Sequence, residues 1–194
     1  MTPPTPALVA TGLACVRGGR PVFDGVGFTI RPGEALEIGG PNGAGKSSLL
    51  RMIGGLLTLA AGTIANPFTV AWAGHETALK PGITLGDELR HWARLDGAIP
   101  AVVAALDAFG LTPLADLPTG ILSSGQRRRA ALARVMASGA ALWLLDEPGV
   151  GLDAASLALL AAAIGTHRAG GGLVVVATHA DVGLVAPQRL SLGA

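Results

Sequence analysis

The chain has one cysteine, Cys15, in 194 residues, which excludes an internal disulfide and any cysteine-based metal cluster. Cys15 is expected as a small core residue on an early strand. Tyrosine is missing altogether. Charge is also scarce: 14 lysines and arginines face 13 acids, for a net +1. Apart from Arg127-Arg128-Arg129 there is no basic block, so the footprint of a nucleic-acid partner is missing and none is expected. No apolar run is long. Half the residues are hydrophobic and mean hydropathy is +0.53. Yet the longest nearly apolar stretch, Ala154–Ile164, is broken by Ser156 and falls far short of the roughly 20 residues of a membrane span. It reads as a buried helix between two strands. The opening Met1-Thr2-Pro3-Pro4-Thr5-Pro6 lacks the basic flank and apolar core of a signal peptide, so the chain is expected to stay in the compartment where it is made. Positive hydropathy without a span leaves two readings open: a bias toward alanine, or apolar surface held for a partner such as a membrane protein.

Against these absences stands Gly40-Pro41-Asn42-Gly43-Ala44-Gly45-Lys46-Ser47. It follows the apolar run Ala35-Leu36-Glu37-Ile38 and precedes the helix-like Ser48-Leu49-Leu50-Arg51-Met52-Ile53. A strand feeding a glycine-rich turn and then a helix aims successive backbone N–H groups and a helix N-terminus at one point, a pocket for phosphate. Gly40 and Gly45 permit close backbone approach. Lys46 can reach the outer phosphates, and the Ser47 hydroxyl can ligate Mg²⁺. The expected ligand is a nucleoside triphosphate.

The length suits one domain with a substantial core. Strands are expected at Ala7–Cys15 and Val22–Ile30, followed by the phosphate loop and its helix, which stops near Gly54-Gly55. A short pair of strands, Thr63–Ala65 and Thr69–Ala73, is read around an Asn66-Pro67 turn. The texture is helical from about Ile83 to Met136: Leu85–Leu95, Ala101–Phe109 and Gly125–Ala137. Strand Ala141–Leu145, helix Ala154–Arg168, strand Leu173–Thr178 and a short strand at Arg189–Leu192 complete the order. Such alternation implies a parallel sheet covered on both faces, with the helical middle inserted into an α/β core.

Leu144-Leu145-Asp146-Glu147-Pro148 ends a buried strand on two carboxylates. Ligands of open parallel sheets bind at the carboxyl ends of the strands. Asp146 is therefore placed to hold Mg²⁺, and Glu147, on the other side of the pleat, to act as general base toward water. Leu122-Ser123-Ser124-Gly125-Gln126 opens a helix with a serine cap and free N–H groups, a second candidate anion site.

With these motifs in this order, the chain resembles the ABC-type ATPases, the nucleotide-binding subunits of ATP-binding-cassette transporters, over nearly its whole length. The resemblance implies a P-loop α/β fold, one domain over 1–194 with an antiparallel β subdomain and a helical insert at about 83–136. It implies that Ser48 joins Gly40–Ser47 in ATP binding. Leu122–Gln126 matches the signature motif, whose Ser123, Ser124, Gly125 and Gln126 would contact ATP held by a second subunit. Gly149-Val150-Gly151-Leu152-Asp153 matches the D-loop, and His179, after the strand Val174–Thr178, matches the switch histidine. An ATP-dependent head-to-tail homodimer is implied, with Mg²⁺, attached to integral membrane subunits at the cytoplasmic face of a bacterial inner membrane.

Two positions depart from the family pattern. Where an aromatic residue usually stacks on adenine, this chain has Arg17; a guanidinium plane can stack on a base with less discrimination, and a solvated turn residue is the other reading. The glutamine of the Q-loop is replaced by His75, whose imidazole can hydrogen-bond a metal-bound water. The segment Trp72–Pro81, the sequence Leu89-Arg90-His91-Trp92, Gln126–Arg134 and the end after Arg189–Leu192 resemble the haem exporter ATP-binding subunits of bacterial cytochrome c maturation. Haem export, or release of a haem chaperone, is the function this implies. Another transported substrate, or a soluble ATPase of iron–sulfur cluster assembly, is the alternative.

Overall fold

In the computed structural model, which describes residues 6–99 and 101–193, the chain opens with a β-hairpin. The Met1–Thr5 part of the start weighed above as a leader lies outside those residues. Strand β1 (Leu8–Arg17) turns into β2 (Arg20–Ile30) through Gly18 and Gly19 at φ 55° and 75°, the left-handed pair a two-residue hairpin turn requires. Cys15 is fully buried on β1. Strand β3 (Ala35–Gly39) leads through the glycine-rich loop into α1 (Lys46–Ile53), and β4 (Ala61–Ala65) and β5 (Val70–Ala73) follow. Then come α2 (Leu85–Leu95), α3 (Ala101–Ala108), α4 (Ser124–Ala137), β6 (Leu142–Asp146), α5 (Ala154–Ala169), β7 (Leu173–Ala177) and β8 (Gln188–Ser191).

Five parallel strands form the central sheet, in the order β5-β6-β7-β3-β8. A second sheet is antiparallel, in the order β2-β1-β4. The short strands β4 and β5 are thus not partners. The Asn66-Pro67 turn sends them to different sheets, β4 to the edge of β1 and β5 to the edge of β6. A local turn signal says that the chain reverses; it does not say which edge offers the better hydrogen bonds.

Every residue of β6 and β7 is buried, as continuous apolar runs in a doubly covered sheet should be. The pleat deals these residues to two cores. Trp143, Leu145, Val174 and Val176 face α2–α5, while Leu142, Leu144, Val175 and Ala177 face α1 and the antiparallel sheet. Fully burying side chains of this size contributes ~1.5–3 kcal/mol each. Helices α2 and α3 join the first of these cores through Leu85, Leu89, Ala105 and Phe109. Helix α5 is less buried than its composition suggests. Only Ser156, Leu160, Ala163 and Ile164 are buried on it, because it packs on one face of the sheet and turns its remaining alanines outward. No helix among the described residues is long and apolar enough to cross a membrane.

Candidate functional site

The loop between β3 and α1 works only with glycine at two places. Gly40 has φ 133° and Gly45 has φ 98°, conformations that residues with a Cβ rarely adopt. A Cβ on Gly40 would strike the Leu192 carbonyl, and one on Gly45 would lie 2.7 Å from Val22 Cγ1 and 2.8 Å from Phe23 Cδ1. Gly45 is also the N-cap of α1 and supplies no side-chain cap. The first-turn N–H groups are therefore free to bind an anion. Beside them Lys46 is 7% exposed. Its Nζ donates to Gly40 O at 2.8 Å and Pro41 O at 3.1 Å, and lies 2.8 Å from His179 Nε2.

Across the loop the strand ends converge. Ser47 Oγ donates to Asp146 Oδ1 at 3.0 Å, and Asp146, the last residue of β6, is buried. One hydroxyl and one carboxylate beside a buried lysine suit Mg²⁺, which takes one or two protein oxygens and completes its shell with phosphates and water. No group of three His, Cys, Asp or Glu poised for a metal occurs among the described residues.

Glu147 departs from the expected alternation of the pleat. Strand β6 has ended, and Glu147 sits at φ 48°, its N–H donating to Ala177 O at 2.8 Å. A left-handed residue turns its side chain away from the strand direction, so the carboxylate leaves the sheet instead of alternating across it. It comes to rest 3.5 Å from His179 Nε2, through Oε1, while Oε2 accepts the His179 N–H at 3.4 Å. His179 Nε2 is also 2.8 Å from Asn42 Oδ1. An ammonium offers only donors, so Nε2 serves Lys46 only when unprotonated, and the same nitrogen cannot then donate to Asn42.

Arg17, Val22, Asn42, Gly43, Gly45, Lys46, Ser47, Ser48 and Glu147 line a single cleft of about 360 Å³. Arg17 is exposed at the end of β1 and forms the wall of that cleft together with Val22. The cleft is polar where Lys46 and Ser47 lie and has an apolar wall at Val22.

Other expected residues lie elsewhere in the chain. Ser123 caps α4 in a reciprocal box: its Oγ accepts the Gln126 N–H at 3.2 Å, and its N–H donates to Gln126 Oε1 at 2.8 Å. Ser124 opens onto a second cleft with His75, Arg127, Val150 and Gly151. His75 is exposed there and is not part of the lining of the Lys46 cleft. Asp153 caps α5, accepting the Ser156 N–H at 2.8 Å. Hydrogen bonding from the Ser156 side chain, and then from its backbone N–H, holds the Asp153 carboxyl below the usual carboxylate range.

The sequence reading passed over Arg128. Its guanidinium is buried between the loops that follow β5 and β6. Burial pushes its pKa down, and the nearby charges of Asp146 and Glu147 oppose that shift. A signal was present: counting three, four and seven residues on from Arg128 reaches Ala131, Leu132 and Val135, all buried, which places Arg128 on the inner face of α4.

The family model described as ABC transporter matches residues 23–150. The chain is 47% identical to the cytochrome c biogenesis ATP-binding export protein of Paramagnetospirillum magneticum, over 94% of this chain and 92% of that protein. It is 50% identical to the protein of the same description in Gluconobacter oxydans, over 94% and 87%. Among solved structures, a Pyrococcus furiosus protein assigned to the ABC transporters as an ATP-binding protein superposes with a TM-score of 0.85 at 25% identity, covering 96% of this chain and 98% of that one.

Proposed function

The chain belongs to the ABC transporter family, and from that premise we infer that it is the ATP-hydrolysing subunit of a membrane complex serving haem delivery to c-type cytochromes. The observation that carries this reading is the convergence of Lys46, His179 and Glu147 beside the Ser47–Asp146 pair at the carboxyl ends of β3, β6 and β7. The relatives described as cytochrome c biogenesis ATP-binding export proteins support the destination.

The phosphates of ATP lie in the Gly40–Ser47 loop, against the open N–H groups of α1. Lys46 exchanges its carbonyl partners for phosphate oxygens, a stronger charge-assisted contact. Ser47 and Asp146 would hold Mg²⁺, which supplies charge neutralisation on the phosphates. Glu147 takes the proton of the attacking water. His179, whose backbone N–H and imidazole both lie against Glu147, orients the carboxylate and contacts the outer phosphate. The base of the nucleotide lies against Arg17 and Val22.

The exposed end of α4 at Ser123 carries the second half of the site, presented to ATP held by another copy in a head-to-tail homodimer. Between β5, α2 and α4 a separate cleft holds Trp72 and Trp92, with Leu56 66% exposed and Val70 37% exposed at its rim. That apolar face supports an integral membrane subunit as partner and a peripheral position at the cytoplasmic face of the membrane.

Deleting the gene, or replacing Lys46 by Ala in it, tests the assignment. Cells are expected to keep b-type haem proteins and to lose covalent c-type cytochromes, read by haem staining of denatured membrane and periplasmic proteins. Normal c-type cytochromes in a strain without a second copy would remove the haem assignment and leave the ATPase.

A further inference from the structure

Arg128 is 5% exposed, and none of its hydrogen bonds goes to a carboxylate oxygen. Nη1 donates to Gly74 O at 2.6 Å and to His75 O at 3.5 Å. Nη2 donates to Asp146 O at 3.0 Å and to Glu147 O, and Nε to Pro148 O at 3.2 Å. All these acceptors are main-chain carbonyls, drawn from the loop after β5 and from the last residue of β6 with the loop that follows it. A buried cation is expensive unless its donors are satisfied, and here the loops satisfy it only while they hold one conformation.

One of those carbonyls belongs to Glu147. Its φ of 48° is unfavourable for a residue with a Cβ, and such a conformation persists only where its surroundings impose it. The imposing contacts on its main chain are three. The Glu147 N–H is held by Ala177 O at 2.8 Å, and its carbonyl by Arg128 Nη2 and by the Val150 N–H at 3.2 Å. From this clamped backbone the carboxylate reaches His179. Arg128 itself does not line the Lys46 cleft.

We propose that Arg128 is a positioning residue for hydrolysis. It fixes the backbone from which Glu147 addresses the phosphate cleft, and it ties that backbone to the His75 loop and to the Ser123 end of α4. The proposal rests on the reading of Glu147 as general base. It deepens that reading by naming a group that acts through Glu147 without touching ATP. The two Nη atoms serve different loops, so the forked shape matters as well as the charge. A lysine keeps the charge but presents its donors from one nitrogen, without the planar fork that spans the two segments here.

The test is steady-state ATP hydrolysis by the full chain, comparing the parent with Glu147→Gln, Arg128→Lys and Arg128→Met. Misplacing a reacting group costs turnover, not binding. Arg128→Met is therefore expected to lose about a hundredfold in kcat, and Arg128→Lys about tenfold, with KM for ATP within about threefold of the parent in both. Unfolded protein lowers apparent kcat without moving KM, so rates are taken per folded molecule, counted by nucleotide-binding stoichiometry. Arg128→Met with a parental unfolding temperature and unchanged kcat, or with its loss carried by KM, overturns the proposal. Should Arg128→Met fail to fold, Arg128→Lys decides: parental kcat overturns the role, and a lowered kcat at unchanged KM supports it. A parent without turnover, or Glu147→Gln at the parental rate, instead overturns the hydrolysis reading, and the positioning role falls with it.

Discussion

The Ser47 hydroxyl donates to Asp146 Oδ1 at 3.0 Å, joining residues 99 positions apart. That bond ties the first turn of α1 to the last residue of β6. The phosphate loop and the acidic strand end are therefore one rigid unit. Lys46 extends the unit to β7 through His179, so three strand ends share one polar junction.

Glu147→Gln is expected to abolish most turnover, by about 10²- to 10⁴-fold, while ATP binding survives, because the amide keeps the shape but cannot take a proton. Lys46→Ala should weaken binding itself. Phosphate release and a nucleotide-binding titration on the same preparations separate the two effects. Near-parental turnover in Glu147→Gln would move the general base elsewhere.

Ser123→Arg should eliminate hydrolysis although Ser123 lies outside the cleft that holds Lys46. The arginine blocks the end of α4 that a second copy's nucleotide would meet. Mixed with Lys46→Ala protein, it should restore at most one working site per dimer. Light scattering of Glu147→Gln with ATP and Mg²⁺ should record a shift from monomer to dimer. A persistent monomer under saturating nucleotide, with or without membrane partners, would count heavily against the shared site.

A base bound in the Lys46 cleft would meet a guanidinium at Arg17 and an aliphatic wall at Val22, with no aromatic ring in the lining. GTP is expected to compete with ATP within about tenfold, or ~1.4 kcal/mol. A competition titration favouring ATP by several hundredfold would mean that another group supplies the stack.

His167 lies face to face with Trp143, with centroids 3.9 Å apart and planes 10° from parallel. Burial pushes its pKa below the ordinary 6.5. The fold therefore prefers the neutral ring, while the unfolded chain takes up a proton at higher pH. This contribution to stability is complete above the unfolded value and is lost as pH falls through the lower, folded one. Denaturant midpoints from about pH 7.5 to about pH 5 should fall, and His167→Phe, which keeps the stack, should flatten the curve. Parallel curves for the two proteins would assign the pH dependence to other groups.

The phosphate loop was readable because its strand, glycines, lysine and helix are contiguous, and chemistry that depends on adjacent residues survives in one dimension. Strands β6 and β7 were readable because uninterrupted apolar runs leave few alternatives. The elements themselves lie within two residues of their expected bounds. Pairing was harder. The separation of β4 from β5 depends on edges offered by strands distant in sequence, which no local pattern around Asn66-Pro67 encodes. The left-handed turn at Glu147 was also hidden, since nothing in Asp146-Glu147-Pro148 announces where the strand stops. Arg128 was passed over because a run of three arginines usually marks a solvated face, and only the spacing to Ala131, Leu132 and Val135 argues otherwise.

The carbonyl partners of Arg128 carry an evolutionary consequence. A guanidinium that grips main-chain oxygens is indifferent to the side chains projecting from those residues. The side chain at position 75 can therefore change without loosening the grip on Gly74 O and His75 O. Drift at the loop's outward-facing side chains is thereby uncoupled from the geometry of the hydrolytic centre, which leaves the loop open to adaptation toward whatever surface it meets.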